Sequence, residues 1–121
     1  MALTMGSTVL DVADVRRAAR FWCEALGYVP RDGWADDFMV LRDLHVDGGP
    51  QLSLQKEDAP KRAGDANRVH LDLYADDQAR EVARLEKLGA SRAAGWPYPP
   101  DADFVVMLDP DGNEFCVVQK S

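Results

Sequence analysis

Residues 13–27 read ADVRRAARFWCEALG, and residues 75–89 read ADDQAREVARLEKLG. The two stretches align without a gap at an offset of 62 residues. Both have apolar residues at helical spacing and end at a glycine, which is typical of an amphipathic helix with a glycine C-cap. Asp14 and Asp76 occupy equivalent positions and are the predicted N-caps. An internal repeat determines the architecture before single residues are interpreted, so the chain contains two copies of one unit.

The copies extend beyond these helices, because Gly33-Trp34 and Gly95-Trp96 keep the same offset. We assign them as modules at residues 5–56 and 68–120 of a single domain spanning residues 1–121. The stretch between them, residues 57–67, is polar and contains Pro and Gly, which predicts a surface linker. A chain of this length is too short for a second independent domain.

Short strand-like runs surround each predicted helix. Before each helix, apolar residues alternate with polar ones, because successive side chains of a strand point to opposite faces. Three further runs follow each helix, near residues 28–31, 38–42 and 51–56 in the first module and near 91–94, 104–108 and 114–119 in the second. This order predicts an α+β fold with two tandem βαβββ modules, which form a curled mixed sheet around a concave pocket with the helices on the outer face.

The face of each sheet away from its helix is unusually polar. Curled half-sheets would turn this face toward a concavity, and concave sites with a few convergent polar groups are where ligands usually bind. Two tryptophans in matched loops either close over an apolar ligand or cap the core of their module, and the sequence leaves both interpretations open. The predicted ligand-binding residues are Ser7, Asp11, Trp34, Ser53, Gln55, His70, Tyr74, Trp96, Glu114 and Cys116.

His70 and Asp72 share one face of a predicted strand and are the candidate catalytic residues. A carboxylate beside an imidazole can orient it as a general base. The same spacing also fits a hydrogen-bonded sheet histidine, which is the interpretation we prefer because the sequence offers no nucleophile nearby.

Charge and composition narrow the range of partners. With 14 Lys+Arg against 21 Asp+Glu the formal net charge is -7, so nucleic acid and anionic membranes are repelled. No apolar run approaches the length of a membrane span, and the first ten residues lack a signal-peptide pattern. Cys23 and Cys116 have no companions at metal or disulfide spacing. We therefore expect a cytoplasmic protein that binds neither nucleic acid nor membrane.

Several phrases together resemble the vicinal oxygen chelate superfamily, which includes glyoxalase I, bleomycin-resistance proteins and extradiol dioxygenases. They are the strand leading to Val12-Ala13-Asp14, the pairs Phe21-Trp22 and Leu26-Gly27, the HLDL stretch at residues 70–73 and the DPDGN turn at residues 109–113. The resemblance covers nearly the whole chain and is nearest to the short glyoxalase-like branch. It implies a homodimer.

The resemblance also implies positions for the family's metal ligands, commonly a His or Gln, a Glu, a second His and a second Glu. These positions fall on Ser7, Ser53, His70 and Cys116, with Gln51 and Gln55 open as alternatives for the second. Only His70 keeps its expected type, and divalent metals in such sites need about three imidazole, carboxylate or thiolate ligands. The prediction is a site without the family's metal and without another cofactor.

The function predicted from the sequence is binding of a small organic molecule in the sheet concavity. The alternative is a metal-dependent lyase or dioxygenase-like enzyme, whose displaced divalent metal ion is held by His70, Asp72 and Glu114. A structural or interaction module without a small ligand is a third hypothesis. Fold alone does not separate these functions.

Overall fold

A computed structural model of the protein describes residues 3–58 and 69–121. The chain divides into two compact units, Met1–Pro60 and Lys61–Ser121, and each has the element order βαβββ. The α+β fold class with tandem modules is thus confirmed. Most of the predicted linker lies outside the described residues. Its first residue, Glu57, still donates its backbone N–H to the carbonyl of Val12 at 2.9 Å and so extends the pairing of the first module.

The first module forms a four-stranded mixed sheet in the order β1-β4-β3-β2. The first and last strands of the module are adjacent and parallel, and the other two pairs are antiparallel. Thr8 in β1 lies beside Leu52 in β4, 44 residues later in the chain. The elements are β1 (Thr8–Val12), α1 (Val15–Leu26), β2 (Tyr28–Pro30), β3 (Phe38–Asp43) and β4 (Leu52–Lys56).

The second module repeats this topology in the order β5-β8-β7-β6. Leu71 in β5 lies beside Phe115 in β8, again 44 residues later. The run predicted near residues 91–94 is shorter than expected, because only Ser91 and Arg92 pair as a strand. The elements are β5 (Leu71–Ala75), α2 (Gln78–Leu88), β6 (Ser91–Arg92), β7 (Phe104–Leu108) and β8 (Glu114–Gln119).

Helix α1 begins and ends as the sequence predicts. The Asp14 carboxylate accepts the backbone N–H of Arg17 at 3.0 Å, which satisfies one of the amides left unpaired at a helix start. Gly27 ends the helix with φ of 70°, a conformation that glycine adopts without steric cost. Trp22 lies on the buried face of α1, and the helix packs on β2, β3 and β4. None of the described helices is long and apolar enough to cross a membrane.

The prediction of Asp76 as the N-cap of α2 was wrong, because the helix starts one residue later. Asp77 accepts the backbone N–H of Arg80 at 3.2 Å, and the Asp76 side chain is almost fully exposed. The cause lies in Gln78, the first residue of α2. Its backbone N–H donates to the side-chain carbonyl of Gln119 at 2.8 Å, and its amide donates to the backbone carbonyl of Val117 at 2.9 Å. These bonds tie the start of α2 to β8.

The predicted turn at residues 109–113 is present and is organised by one buried carboxylate. Asp109 accepts the backbone N–H groups of Asp111 at 2.9 Å and Asn113 at 2.8 Å. Gly112 has φ of 82°, so the chain reverses where only glycine fits easily. Burial raises the pKa of Asp109, and the donated N–H groups oppose that rise.

Alternation divides each sheet into two faces. In the first module Leu52 and Leu54 are buried on the side of α1, and in the second Phe115 and Val117 are buried on the side of α2. The opposite side of each sheet is called its polar face below. It comprises residues 7, 9, 11, 38, 40, 51, 53 and 55 in the first module and residues 70, 72, 74, 104, 106, 114, 116 and 118 in the second.

Candidate functional site

The polar face of the first module is built around two serine hydroxyls. Ser7 precedes β1, and Ser53 lies in β4, which pairs with β1 in parallel. Their Oγ atoms are 2.6 Å apart and share a hydrogen bond. Ser53 is only 1% exposed, so this bond satisfies a hydroxyl that would otherwise be costly to bury.

Apolar surface lies next to this hydroxyl pair. Val9 is beside Ser53 in the register and is 48% exposed, and Phe38 is beside Gln55 and is 46% exposed. Asp11 and Gln55 are also direct neighbours across β1 and β4, as the sequence predicts for two residues of one face. Phe38 was missed as a site residue, because the run FMVLR is apolar apart from its last residue and gives no sign of which face is exposed.

The polar face of the second module brings together His70, Asp72 and Cys116, which we call the His-Asp-Cys cluster. Asp72 and Cys116 are direct partners across β5 and β8, and His70 is two residues before Asp72 on the same face. The His70 Nε2 and Asp72 Oδ1 atoms are 3.1 Å apart. One ligand atom from each of the three residues lies within 4.8 Å of the others.

Within residues 3–58 and 69–121, no other group of three His, Cys, Asp or Glu side chains is gathered this closely. The predicted alternative metal set joined Glu114 to His70 and Asp72, whereas the third side chain close to His70 and Asp72 in the structure is Cys116. The reason is the strand register, which places Asp72 opposite Cys116 and leaves Glu114 two residues away along β8.

Electrostatics keep the thiol of Cys116 protonated. Burial raises its pKa to about 11, helped by the negative charge of Asp72, by a hydrogen bond that the thiol donates to this carboxylate, and by the charge of Glu114. A thiol is a nucleophile only as its thiolate. Cys116 is therefore a hydrogen-bond donor at neutral pH, and His70 with Asp72 is the part of the cluster capable of proton transfer.

Three predicted aromatic residues are exposed. Tyr74 lies on the polar face of the second module and is 69% exposed. Trp34 is 47% and Trp96 38% exposed, so each ring is partly covered and partly accessible, and this exposure fits both closing over a ligand and capping the core of a module. Tyr98 was not predicted, yet its hydroxyl accepts the backbone N–H of Val106 at 2.8 Å and thereby connects the loop before β7 to that strand.

The model of the family described as "Glyoxalase-like domain" matches residues 7–118. The chain belongs to the glyoxalase-like domain family. The membership places it in the vicinal oxygen chelate superfamily, in agreement with the resemblance of its sequence. A search of curated proteins found no match.

Solved structures share the fold of this glyoxalase-like protein at low identity. A glyoxalase/bleomycin resistance protein/dioxygenase family enzyme from Burkholderia phytofirmans PsJN is 16% identical with a TM-score of 0.71, covering 93% of this chain and 95% of that one. The fosfomycin resistance protein FosX from Mesorhizobium loti is 16% identical with a TM-score of 0.69, covering 100% and 95%. A bleomycin-binding protein complexed with bleomycin is 19% identical with a TM-score of 0.63, covering 98% and 100%.

The residues of this glyoxalase-like protein do not fit the metal set that the superfamily implies. By the resemblance Ser7 stands at the first of the four positions and Ser53 at the second, with Gln51 and Gln55 as alternatives, and the two serine hydroxyls are hydrogen-bonded to each other. An uncharged hydroxyl is also a poor substitute for an imidazole or a carboxylate. Cys116 stands at the fourth position in place of a carboxylate. No step of a mechanism is therefore derived through the family's metal.

Proposed function

We propose that the protein binds a small organic molecule through side chains of its polar faces. The observation that carries the proposal is exposed apolar surface directly beside hydrogen-bonding groups. Val9 adjoins Ser53, Phe38 adjoins Gln55, and Tyr74 follows Asp72 by two residues on the other polar face. Ligand sites combine apolar walls with a few fixed polar groups in this way.

The family relationship supports this proposal. The bleomycin-binding protein is named for a small molecule that it binds, and it shares the fold over almost all of both chains. An organic ligand with aromatic and amide groups would suit an exposed Phe or Tyr and the neighbouring hydroxyl and carboxamide groups. Ligand binding here needs no metal, because these contacts are made by the side chains.

A thermal-shift screen tests the proposal. The purified chain is measured with a chelator against bleomycin, fosfomycin, aromatic polyketides and thiol adducts of 2-oxoaldehydes. A ligand at about 100 times its dissociation constant adds about 2.7 kcal/mol to the free energy of unfolding. The matched variants are Phe38→Ala and Tyr74→Ala, with Leu44→Ala as a control at an exposed apolar residue outside the strands.

We expect at least one compound to raise the melting temperature and one polar-face variant to reduce the shift, while the Leu44 variant keeps it. Absence of a shift across the panel would instead favour a structural or interaction module. A shift that both polar-face variants retain would remove these faces from the site.

A metal-dependent lyase or dioxygenase-like enzyme is the second candidate function. It is favoured by the hydrogen-bonded pair of His70 and Asp72, because imidazole and carboxylate are groups that bind such metal ions. Turnover of 2-oxoaldehyde adducts after addition of Zn²⁺, Ni²⁺, Mn²⁺ or Fe²⁺, abolished by His70→Ala, would establish it. Bound metal without turnover would argue against it.

We also propose that the protein is a cytoplasmic homodimer. Its two cysteines, Cys23 and Cys116, are both free thiols, which a reducing compartment preserves. The homodimer follows from the family resemblance. Light scattering of the purified chain measures the oligomeric state, and a mass of 13.4 kDa at all concentrations would contradict the dimer.

A further inference from the structure

The His-Asp-Cys cluster combines three different metal-binding groups on neighbouring strands. Asp72 and Cys116 are register partners in β5 and β8, and His70 reaches the same Asp72 from two residues earlier. All three belong to the second module. His70 and Cys116 stand at two of the four positions that the resemblance carries over, and Asp72 stands at none of them, so the cluster is that site with a different third partner.

The distances suit a tetrahedral cation. Zinc bonds of 2.0–2.2 Å to nitrogen and oxygen and about 2.3 Å to sulfur place neighbouring ligand atoms about 3.4–3.6 Å apart. The imidazole and carboxylate atoms are already 3.1 Å apart, and the cluster as a whole lies within 4.8 Å. The largest adjustment is therefore about 1.2 Å, within reach of the half-exposed side chains of His70 and Asp72.

We propose that His70, Asp72 and Cys116 form a site for a thiophilic divalent cation of the Zn²⁺ or Co²⁺ class. Imidazole and sulfur select such ions, whereas Mg²⁺ and Ca²⁺ require oxygen ligands alone. Binding converts the Cys116 thiol to a thiolate, and its proton passes to the solvent. One thiolate and one carboxylate then balance the charge of the divalent ion, so the occupied cluster is neutral.

Three protein ligands leave a fourth tetrahedral position open. Such an arrangement is typical of zinc sites that bind a water molecule or an exogenous ligand. His70 and Asp72 are both half exposed, so the open position is accessible to a small ligand with a thiol, carboxylate or hydroxyl group. This inference does not depend on the proposed function, since it is tested with the metal alone and without an organic ligand.

The test is a titration of the full chain, freed of metal and kept reduced, with Co²⁺. Coordination by sulfur produces a thiolate-to-cobalt charge-transfer absorption, which reports Cys116 directly. We expect this absorption to saturate at one Co²⁺ per chain and to disappear on addition of Zn²⁺. Cys116→Ser should abolish it, and His70→Ala and Asp72→Asn should each weaken Co²⁺ binding at least tenfold.

The chain contains its own matched control in its other cysteine. Cys23 lies in α1 of the first module, so Cys23→Ser should keep the absorption unchanged. If circular dichroism shows that Cys116→Ser is unfolded, His70→Ala still tests the site, because His70 is exposed. The proposal is overturned if the wild type shows no charge-transfer band, if the band survives Cys116→Ser, or if it is lost in Cys23→Ser. Loss of the charge-transfer band in Glu114→Gln would overturn the choice of Cys116 over Glu114 as the third partner of His70 and Asp72.

Discussion

The protonated state of Cys116 gives a quantitative prediction about its reactivity. An ordinary cysteine thiol with a pKa of 9.0 is about 10% thiolate at pH 8, whereas a pKa of about 11 leaves about 0.1%. The thiolate fraction is thus about 100-fold lower, but a thiolate of higher pKa is also more nucleophilic, so on this ground alone Cys116 should be alkylated about 10- to 16-fold more slowly than an ordinary thiol. Burial of the sulfur slows the reaction further.

Replacing Asp72 by Asn separates the causes of this raised pKa. The substitution removes the carboxylate charge and its hydrogen bond with the thiol, but burial, the largest cause, remains. The pKa should fall without reaching 9.0. A fall of one in the pKa raises the thiolate fraction tenfold while lowering nucleophilicity, with a net gain of about three- to fourfold in rate. We expect Asp72→Asn to accelerate alkylation about three- to tenfold at pH 8, and Glu114→Gln to accelerate it less.

The assay uses a Cys23→Ser background, in which Cys116 is the single thiol, with a chelator present. Iodoacetamide incorporation is followed by mass spectrometry between about pH 7 and 10, where log rate should rise with a slope near one for the parent. Circular dichroism verifies that each variant is folded. A plateau near pH 9 in the parent, or equal rates in the parent and in Asp72→Asn, would refute the role assigned to the carboxylate.

Further predictions concern stability. Asp77→Ala should lower the free energy of unfolding by about 1 kcal/mol, because it removes the N-cap of α2. Asp76→Ala should change it by less than about 0.5 kcal/mol. Equal effects of the two substitutions in urea unfolding would contradict the assigned cap. Leu54→Ala should lower the free energy of unfolding by about 2–5 kcal/mol, because Leu54 is fully buried. Leu44→Ala, at an exposed residue, should lower it by less than about 0.5 kcal/mol. Similar thermal midpoints for the two variants would show that Leu54 is not in the core. Because the pKa of Asp109 is raised in the folded state, the unfolded chain loses this proton first, and the Asp109 contribution to stability falls as pH rises from 3.8 through the folded pKa. The stability of the wild type relative to Asp109→Asn should therefore fall as the pH rises above 3.8, and a flat or rising difference would refute this sign.

The fold was largely predictable because the sequence contains two copies of the same βαβββ unit. The offset of the two helical stretches and the alternation in β1 and β5 led to the correct element order in both modules. The start of α2 was missed because Asp76 and Asp77 are both good N-caps, and sequence spacing alone does not choose between them. That choice depends on the bonds from Gln78 to β8, which are long-range contacts.

The sequence predicts on which face of the sheet each candidate site residue lies, but not which residue of the neighbouring strand lies beside it. Alternation placed Asp72, Glu114 and Cys116 on one side of their strands, as observed. Which residue of β8 lies beside Asp72 is set by the register of the parallel pair. A crossover of more than 30 residues separates β5 from β8, and nothing local in the sequence encodes how that crossover aligns them. The pairing of Ser7 with Ser53 was hidden for the same reason.

The parallel pairing of the first and last strands of each module also has a consequence for biosynthesis. Thr8 meets Leu52, and Leu71 meets Phe115, so each sheet is completed only when a segment made 44 residues afterwards becomes available. During translation β1 leaves the ribosome before β4 does, and its apolar side stays uncovered until β4 has emerged. Such sequence-distant closure slows folding and lengthens the period of risk for aggregation, so each half of the nascent chain depends on its final strand for protection.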